Sequence, residues 1–384
     1  MSALALVLAA ATFVFWLLFA VDALGGGAGI KRLPALSADS AVPFPKVSII
    51  VPACNEERHV ESAMRSLLAL DYPDYEVIAI DDRSTDRTGA ILDALAAADR
   101  RLRVVRVTAL PPGWLGKNHA LESGARQAAG EWLLFTDGDI QFAPQALRKA
   151  MAYALSAGRD HIAAVPEAVM PTLPLRLFVA AFAVHFSMFA RPWKAADPKS
   201  RRFVGIGAFN LVRAAAFKAA GGFKRIKMRP DDDLRLGKVL KEAGARQELV
   251  FAGPEIQVEW YASIGEVVQG LEKNAFSGVE YRLWMLVLST VAILALCVWP
   301  FVAVFLTAGA ARLFAAGTVA LILTVLALMA PLARAPRWAG LAFPFATLFF
   351  VYVLWNSAVK ALRNGGIDWR GTHYSLAELR ACRG

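Results

Sequence analysis

Long apolar runs stand near the two ends of the chain. The first covers residues 3–21, and three more cover residues 283–306, 313–332 and 338–361, with charged side chains almost absent from all four. A run of about 20 apolar residues is long enough to cross a bilayer as a helix. The pattern therefore predicts an N-terminal membrane helix and two or three C-terminal ones.

The middle of the chain has a different pattern, in which short apolar runs alternate with amphipathic stretches. Residues 47–51, 75–80, 102–107 and 131–135 have the length and composition of buried strands, and residues 60–70, 88–98 and 118–129 have helical spacing. This order predicts right-handed βαβ units and a mainly parallel, Rossmann-like sheet with helices on both faces. The expected fold class of this part is α/β.

These patterns divide the chain into five parts. We expect an N-terminal transmembrane helix at residues 1–24, a proline-containing linker at 25–45, an α/β domain at 46–282, transmembrane helices at 283–361 and a polar basic tail at 362–384. A further apolar stretch, residues 173–193, is interrupted by Arg176 and His185. It is consistent with an interfacial helix that delivers a membrane acceptor, and also with a helix in the domain core.

The composition indicates a membrane protein. Of the 384 residues, 57% are hydrophobic and 19% are charged, whereas about a quarter are charged in ordinary soluble domains. The net charge of +10 comes from Lys and Arg that cluster mainly beside the apolar runs, which favours contact with anionic lipid over binding of nucleic acid. The three cysteines have no metal-ligand spacing, which fits a reducing compartment.

The charges around the first apolar run predict its orientation. No Lys or Arg precedes the run, whereas Lys31 and Arg32 follow it, so we expect the α/β domain on the cytoplasmic side of the plasma membrane. A cleaved signal peptide is the alternative, although the run lacks a basic start and is long for one. If all three C-terminal segments cross, the basic tail lies outside; if one does not cross, the tail stays inside.

Two acidic residues directly follow the last predicted strand. Asp137 and Asp139 would lie at its carboxyl end, where ligands bind in open α/β sheets. Two carboxylates at one point repel each other unless a cation lies between them, and Mg²⁺ or Mn²⁺ prefers such oxygens together with phosphate oxygens. An Asp-Gly-Asp sequence is also common in ordinary turns. Because further polar and charged motifs, described next, occur at other strand ends and helix starts, we interpret the pair as a metal-diphosphate site.

Polar residues also follow the first two predicted strands. The residues concerned are Pro52, Ala53, Asn55 and Glu56 after the first strand, and Asp81 and Asp82 at the end of the second. Carboxylates and amides at neighbouring strand ends can bind a base edge and ribose hydroxyls, although helix capping would also explain Asn55 and Glu56. No glycine-rich phosphate loop follows the first strand, which argues against a dinucleotide enzyme.

Two further blocks place charges at predicted helix starts. Lys117 follows a glycine and can offer its ammonium to a diphosphate; an ordinary surface lysine is the alternative. Three consecutive acidic residues, Asp231, Asp232 and Asp233, open another helix. They exceed what a helix cap requires, and one of them facing a pocket could accept the proton of an acceptor hydroxyl.

Taken in order, these blocks resemble those of the family 2 glycosyltransferases, over roughly residues 46–278. The resemblance implies a GT-A fold and inverting transfer of a sugar from a nucleotide-diphosphate sugar, with a divalent metal. It implies that Asp137 and Asp139 bind the metal-diphosphate and that the blocks at 52–56 and 81–82 hold the nucleoside. Lys117 would lie near the phosphates, and Asp233, or its neighbour Asp232, would be the catalytic base.

The similarity is greatest to membrane-bound members that glycosylate lipids, of the hopanoid-associated and carotenoid-ester type. They share the Pro-x-Trp-x-Gly-Lys block at residues 112–117, the C-terminal helices and a tail like residues 369–374, which implies a lipid acceptor. The Gln-x-x-Arg-Trp motif of processive polysaccharide synthases is missing at residues 270–274, where Lys273 is a candidate to face the leaving diphosphate. A processive synthase is the alternative enzyme, and an inactive lipid-binding scaffold is the non-enzymatic alternative.

Overall fold

The computed structural model describes residues 3–382 of the chain. The strands in this range are β1 Lys31–Arg32, β2 Val47–Ala53, β3 Tyr75–Asp82, β4 Leu102–Val107, β5 Trp132–Phe135, β6 Gln141–Phe142, β7 His161–Ala168, β8 Asn210–Arg213, β9 Gln247–Val258, β10 Gly366–Trp369 and β11 Thr372–Ser375. The α-helices are α1 Ala3–Ala28, α2 Val60–Leu68, α3 Thr88–Ala98, α4 Gly116–Gln127, α5 Ala146–Ser156, α6 Leu173–Ala190, α7 Ala214–Ala219, α8 Asp232–Glu242, α9 Ile264–Ala275, α10 Leu283–Ile293, α11 Trp299–Leu306, α12 Gly309–Met329, α13 Phe343–Arg363 and α14 Leu376–Ala381.

The α/β fold class is confirmed, with small shifts of the predicted ends. The strand predicted at 47–51 continues to Ala53, and the strand predicted at 75–80 continues to Asp82. These extensions occur because the two strands stay paired up to the register Ala53↔Asp81. The polar residues expected beyond the strands therefore begin within them, and the sheet itself fixes their backbone.

Nine strands form one sheet in the order β1-β9-β7-β8-β5-β2-β3-β4, with β6 paired to β9. The pairs β2/β3, β2/β5, β3/β4, β7/β9 and β1/β9 are parallel, whereas β8 is antiparallel to both of its neighbours. The carboxyl ends of β2, β3 and β5 consequently meet at one edge of the sheet. Each of these strands carries one of the acidic or polar blocks identified in the sequence.

The chain divides into two compact units, and the sheet lies in the unit made of Ile30–Ala168, Pro192–Glu259 and residues 368–382. A buried apolar cluster joins the sheet to helices α4 and α8 in this unit. Its members include Ile50, Ile80, Leu121, Phe135 and Leu236, all at most 3% exposed. These helices begin at Gly116 and Asp232, so packing against the sheet brings two helix N-termini to its functional edge.

The other unit is made of residues 3–29, Val169–Arg191 and Trp260–Ile367. Within residues 3–382, five helices are long and apolar enough to cross a membrane: Ala3–Ala28, Leu173–Ala190, Leu283–Leu306, Gly309–Ala333 and Arg337–Arg363. Four of them correspond to the predicted membrane segments. The fifth is α6, which packs through aromatic contacts such as Phe178 with Phe349, whose ring centroids are 5.3 Å apart.

The chain on both sides of α6 belongs to the sheet unit. Strands β7 and β8, which precede and follow α6, pair directly in the register His161↔Val212. A helix that crossed a bilayer once would place its two flanks on opposite sides. Helix α6 therefore makes no single complete crossing, even though its length and hydropathy would allow one.

Candidate active site

Four side chains from three segments converge at the carboxyl edge of the sheet. The ammonium of Lys117, in the first turn of α4, lies 2.7 Å from Asp137 Oδ1 and 3.2 Å from Asp232 Oδ2. Asp233, next along α8, accepts hydrogen bonds from the backbone N–H groups of Gly207 (2.8 Å) and Leu234 (2.7 Å). These groups line a small cavity with Leu121, Phe135, Thr136, Asn210, Phe223 and Leu236.

The electrostatics of this cluster follow from burial and close charges. Burial alone would lower the pKa of Lys117, but the carboxylates of Asp137, Asp232 and Asp233 raise it well above its usual value. Burial also raises the pKa values of Asp232 and Asp233, and the charge of Lys117 opposes this in both. Lys117 is therefore a fixed cation among carboxylates, and the alternative of an ordinary surface lysine does not describe it.

The three acidic residues at the start of α8 make different contacts. Asp231 is paired with two arginines, because Arg229 Nε lies 2.9 Å and Arg235 Nε 2.7 Å from its carboxylate oxygens. It occupies the N-cap position of α8 without making a side-chain capping hydrogen bond. Asp232 faces Lys117, whereas Asp233 faces the loop that contains Gly207. Capping therefore does not account for this run.

Two glycines let the loop before β8 approach the acidic residues. A Cβ at Gly207 would lie 2.8 Å from Asp137 Oδ2, so any side chain there would crowd that carboxylate, whereas its distance of 3.5 Å from Asp233 Oδ2 is an ordinary contact. A Cβ at Gly205 would overlap the backbone carbonyl of Asp233. Gly205 is thus required because the backbone of Asp233 approaches it closely, and Gly207 because a side chain there would meet the Asp137 carboxylate.

Buried polar side chains that the sequence reasoning did not identify hold this cluster in place. The amide of Asn118, fully buried, donates to the carbonyls of Ile226 and Arg229, both at 2.9 Å, and so anchors the segment that leads into α8. His161 contacts Asn210 Oδ1 at 3.0 Å, and the same oxygen accepts the Ile206 N–H at 3.2 Å. Burial lowers the pKa of His161 to about 4, which makes it a neutral hydrogen-bonding residue. In the sequence, only the position of Asn118 directly after Lys117 could have indicated that it belongs to the site.

Asp139 lies beside a second group of negative charges. Burial, and then the charges of Asp137 and Glu56, raise the pKa of Asp139. Within residues 3–382, no three His, Cys, Asp or Glu side chains come close enough to form a complete metal site. Mg²⁺ is commonly held by one or two carboxylates together with substrate phosphates, and the oxygen donors of Asp137 and Asp139 fit that kind of site.

The predicted nucleoside residues form a connected edge. Pro52 and Ala53 lie on β2 beside Ile80 and Asp81 of β3. Asn55 Oδ1 accepts the Thr85 N–H at 2.8 Å, which joins the loops that follow these two strands.

Two buried carboxylates on β3 are each paired with an arginine. Asp81 lies 3.2 Å from Arg106, and Asp82 lies 2.8 Å from Arg83. Asp81 is thus paired with a residue of β4 and Asp82 with the residue that follows β3, and the contact of either carboxylate with a nucleoside stays a prediction.

Lys273 lies in the last turn of α9. This helix belongs to the helical unit, whereas Lys117, Asp137 and Asp233 belong to the sheet unit. The assignment of Lys273 to the leaving diphosphate therefore also stays a prediction.

Comparison with known proteins agrees with this geometry. Residues 48–218 match the family model described as Glycosyl transferase family 2. The segment that matches this family model includes β2 to β5, Lys117, Asp137, Asp139 and Gly207. The acidic run at 231–233 lies beyond the matched residues.

The chain is similar to enzymes that act on lipids. It is 40% identical over 123 residues to the beta-monoglucosyldiacylglycerol synthase of Synechocystis sp., a match covering 31% of this chain and 25% of that protein. It is 34% identical over 120 residues to the GalNAc(5)-diNAcBac-PP-undecaprenol beta-1,3-glucosyltransferase of Campylobacter jejuni, covering 31% of this chain and 37% of that protein. The chain thus spans less than half the length of either relative.

A solved structure shares the fold over most of the chain. The mannosyltransferase PcManGT from Pyrobaculum calidifontis, in complex with GDP-Man and Mn²⁺, superposes with a TM-score of 0.57 at 20% sequence identity. The alignment covers 94% of this chain and 99% of that one. The expected GT-A-type fold, with its accompanying apolar helices, is thereby confirmed.

Proposed function

We propose that this protein is a membrane-bound, inverting glycosyltransferase that moves a sugar from a nucleotide-diphosphate sugar to a hydroxyl or carboxyl group of a membrane lipid. The observation that carries the proposal is the convergence of Lys117, Asp137, Asp232 and Asp233 on one cavity at the carboxyl edge of the sheet. The first two of these residues lie within the segment that matches glycosyl transferase family 2. The cluster combines a cation that can bind a diphosphate with a carboxylate that can accept a proton.

In the proposed reaction, Asp233 acts as the general base. Its carboxylate accepts the proton of the acceptor hydroxyl while the acceptor oxygen forms a bond to the anomeric carbon and the bond from that carbon to the diphosphate oxygen breaks. One displacement of this kind inverts the anomeric centre. The N–H groups of Gly207 and Leu234 hold the carboxylate in one orientation, which keeps the base aligned with the incoming hydroxyl.

Lys117 and the Asp137–Asp139 pair are assigned to the leaving group. Lys117 is oriented by Asp137 and Asp232, so its ammonium is preorganised near the edge where the diphosphate would lie. A divalent cation, Mg²⁺ or Mn²⁺, would be held by Asp137 and Asp139 and would supply further positive charge for the departing nucleoside diphosphate. The loops at Asn55 and Asp82 are assigned to the nucleoside.

The lipid acceptor is inferred from the helical unit together with the relatives. Five long apolar helices in the described part of the chain are suited to a membrane, and the names of two matched relatives contain a lipid, diacylglycerol in one and undecaprenol in the other. The cytoplasmic side is proposed from Lys31 and Arg32, since nucleotide sugars are cytoplasmic.

The function is tested by incubating membranes that contain the protein with radiolabelled nucleotide sugars and extracting the lipids. We expect one discrete labelled lipid, absent from membranes that carry Asp233→Asn. A labelled polymer that stays out of the organic phase would identify a processive synthase. No label in either fraction, across a panel of UDP, GDP and dTDP sugars, would contradict a transferase.

We also propose a membrane topology for the C-terminal region. Ile30 and residues 368–382 belong to one compact unit, so we expect the chain between Glu259 and Asp368 to cross the bilayer an even number of times. Of the three helices in this interval, zero or two can therefore cross completely. A reporter fused after Arg32 and one fused at the C-terminus should give the same compartment. Opposite compartments would contradict this arrangement, and a periplasmic signal from both would contradict the use of nucleotide sugars.

A further inference from the structure

The C-terminal segment, residues 368–382, contacts three parts of the sheet edge that are assigned above to the donor. Arg370 donates to the carbonyls of Cys54 and Asn55 and forms an ion pair with Glu56 in the loop after β2. Thr372 Oγ1 accepts a hydrogen bond from Arg83 at 3.1 Å. One short segment therefore joins the loops that follow both β2 and β3.

The same segment reaches the start of helix α4. The hydroxyl of Tyr374, whose side chain is buried, accepts the backbone N–H of Gly116 at 3.1 Å. The next residue in α4 is Lys117, which contacts Asp137 and Asp232. The segment therefore extends from the nucleoside loops to the residue assigned to the diphosphate. It also occupies the backbone N–H of Gly116 at the N-terminus of α4.

Backbone strain is concentrated where these loops meet. Seven non-glycine residues among residues 3–382 have left-handed φ values, and three of them are Asn55 (56°), Arg83 (58°) and Arg370 (50°). Such a conformation is unfavourable for a non-glycine residue and persists only where its surroundings impose it. Here the imposing contacts are those between the C-terminal segment and the two loops, and strain of this kind clusters at binding sites.

We infer that the C-terminal segment is a wall of the donor-nucleotide site and that Arg370 is a positioning residue for it. The inference rests on the function proposed above. Arg370 fixes the two carbonyls and the carboxylate at residues 54–56, and it neutralises Glu56, whose negative charge would otherwise face the diphosphate. Its side chain is 41% exposed, so it stays in contact with solvent at the edge of the site. A lysine could keep the charge but not the planar fork that reaches several oxygens at once.

The experiment uses the full chain in detergent with four nucleoside diphosphates, UDP, GDP, ADP and dTDP, each with Mg²⁺. For the nucleotide that binds, calorimetry should give a Kd about tenfold higher for Arg370→Ala than for the natural protein, as expected for loss of a charge-assisted hydrogen bond. Arg370→Lys should recover part of this loss. The matched control is Arg363→Ala, an exposed arginine at the end of α13, which should change Kd less than twofold.

Kinetics separate positioning from a general structural effect. Arg370→Ala should raise the donor KM about tenfold with little change in kcat and with the thermal unfolding midpoint nearly unchanged. If Arg370→Ala fails to fold, Tyr374→Phe removes only one hydroxyl and should still weaken nucleotide binding by about threefold. Unchanged or tighter nucleotide binding in the folded variants would overturn the inference. Failure of the natural protein to bind any of the nucleotides would instead overturn the proposed function, and the inference with it.

Discussion

Replacing Asp233 with Asn should lower turnover by about 10²–10⁴-fold while leaving the affinity for the nucleotide sugar nearly unchanged. Asp233 is assigned only to the acceptor proton, whereas Asp137, Asp139 and Lys117 are assigned to the donor. The expected loss corresponds to roughly 3–5 kcal/mol of barrier. Calorimetry would measure donor affinity, and labelled lipid would measure turnover.

The structure sets the size of the accompanying stability loss. The Asp233 carboxylate accepts two backbone N–H groups, and the single oxygen of an Asn side chain can accept only one of them well. We expect a destabilisation of ~1–3 kcal/mol, which thermal unfolding would detect and which cannot by itself explain a collapse of turnover.

Asp232→Asn is the matched comparison. Asp232 contacts Lys117, whereas Asp233 is held by the backbone N–H groups of Gly207 and Leu234, so Asp232→Asn should leave the proposed base in place and lower turnover less than Asp233→Asn. If Asp232→Asn abolishes turnover and Asp233→Asn does not, the base is Asp232. If both variants stay active, the base lies outside this run.

Removing divalent metal should abolish transfer, and adding Mg²⁺ or Mn²⁺ should restore it. Asp139 lies beside Asp137 and Glu56, and burial together with their negative charges disfavours its ionised form. A bound cation would offset that cost. Full activity in excess chelator would contradict the assignment of Asp137 and Asp139 as metal ligands.

The variant Asp139→Asn distinguishes loss of a metal ligand from other effects of a chelator. Asp139→Asn should weaken binding of the nucleotide sugar in the presence of metal, because it removes a ligand charge that faces the cation. Asp71→Asn is a suitable control, since Asp71 is a surface carboxylate with its side chain 55% exposed and paired with Arg148. Equal donor affinity for the two variants would argue against a metal held at residue 139.

The sequence by itself determined the class of this protein. Periodicity predicted the strands and helices between residues 47 and 135 because buried strands and amphipathic helices leave local signatures. The apolar ends predicted the membrane segments for the same reason, since length and hydropathy are local properties. The acidic, glycine and lysine blocks indicated family 2 glycosyltransferases, and the match over residues 48–218 agrees.

Tertiary structure decided how these blocks work together. The three carboxylates at 231–233 are indistinguishable in the sequence, but their partners separate them: arginines for Asp231, Lys117 for Asp232 and backbone N–H groups for Asp233. These partners are distant in sequence or depend on the orientation of a helix terminus. No local pattern encodes either.

Long-range pairing also decided the surroundings of α6 and of the C-terminal segment. Strands β7 and β8, on the two sides of α6, pair with each other, which the hydropathy of residues 173–193 did not indicate. Arg370 pairs with Glu56, 314 residues away in sequence, and this contact was equally absent from any local pattern. Hydrophobic patterns report what each segment buries, whereas the partner that it meets depends on how the whole sheet assembles.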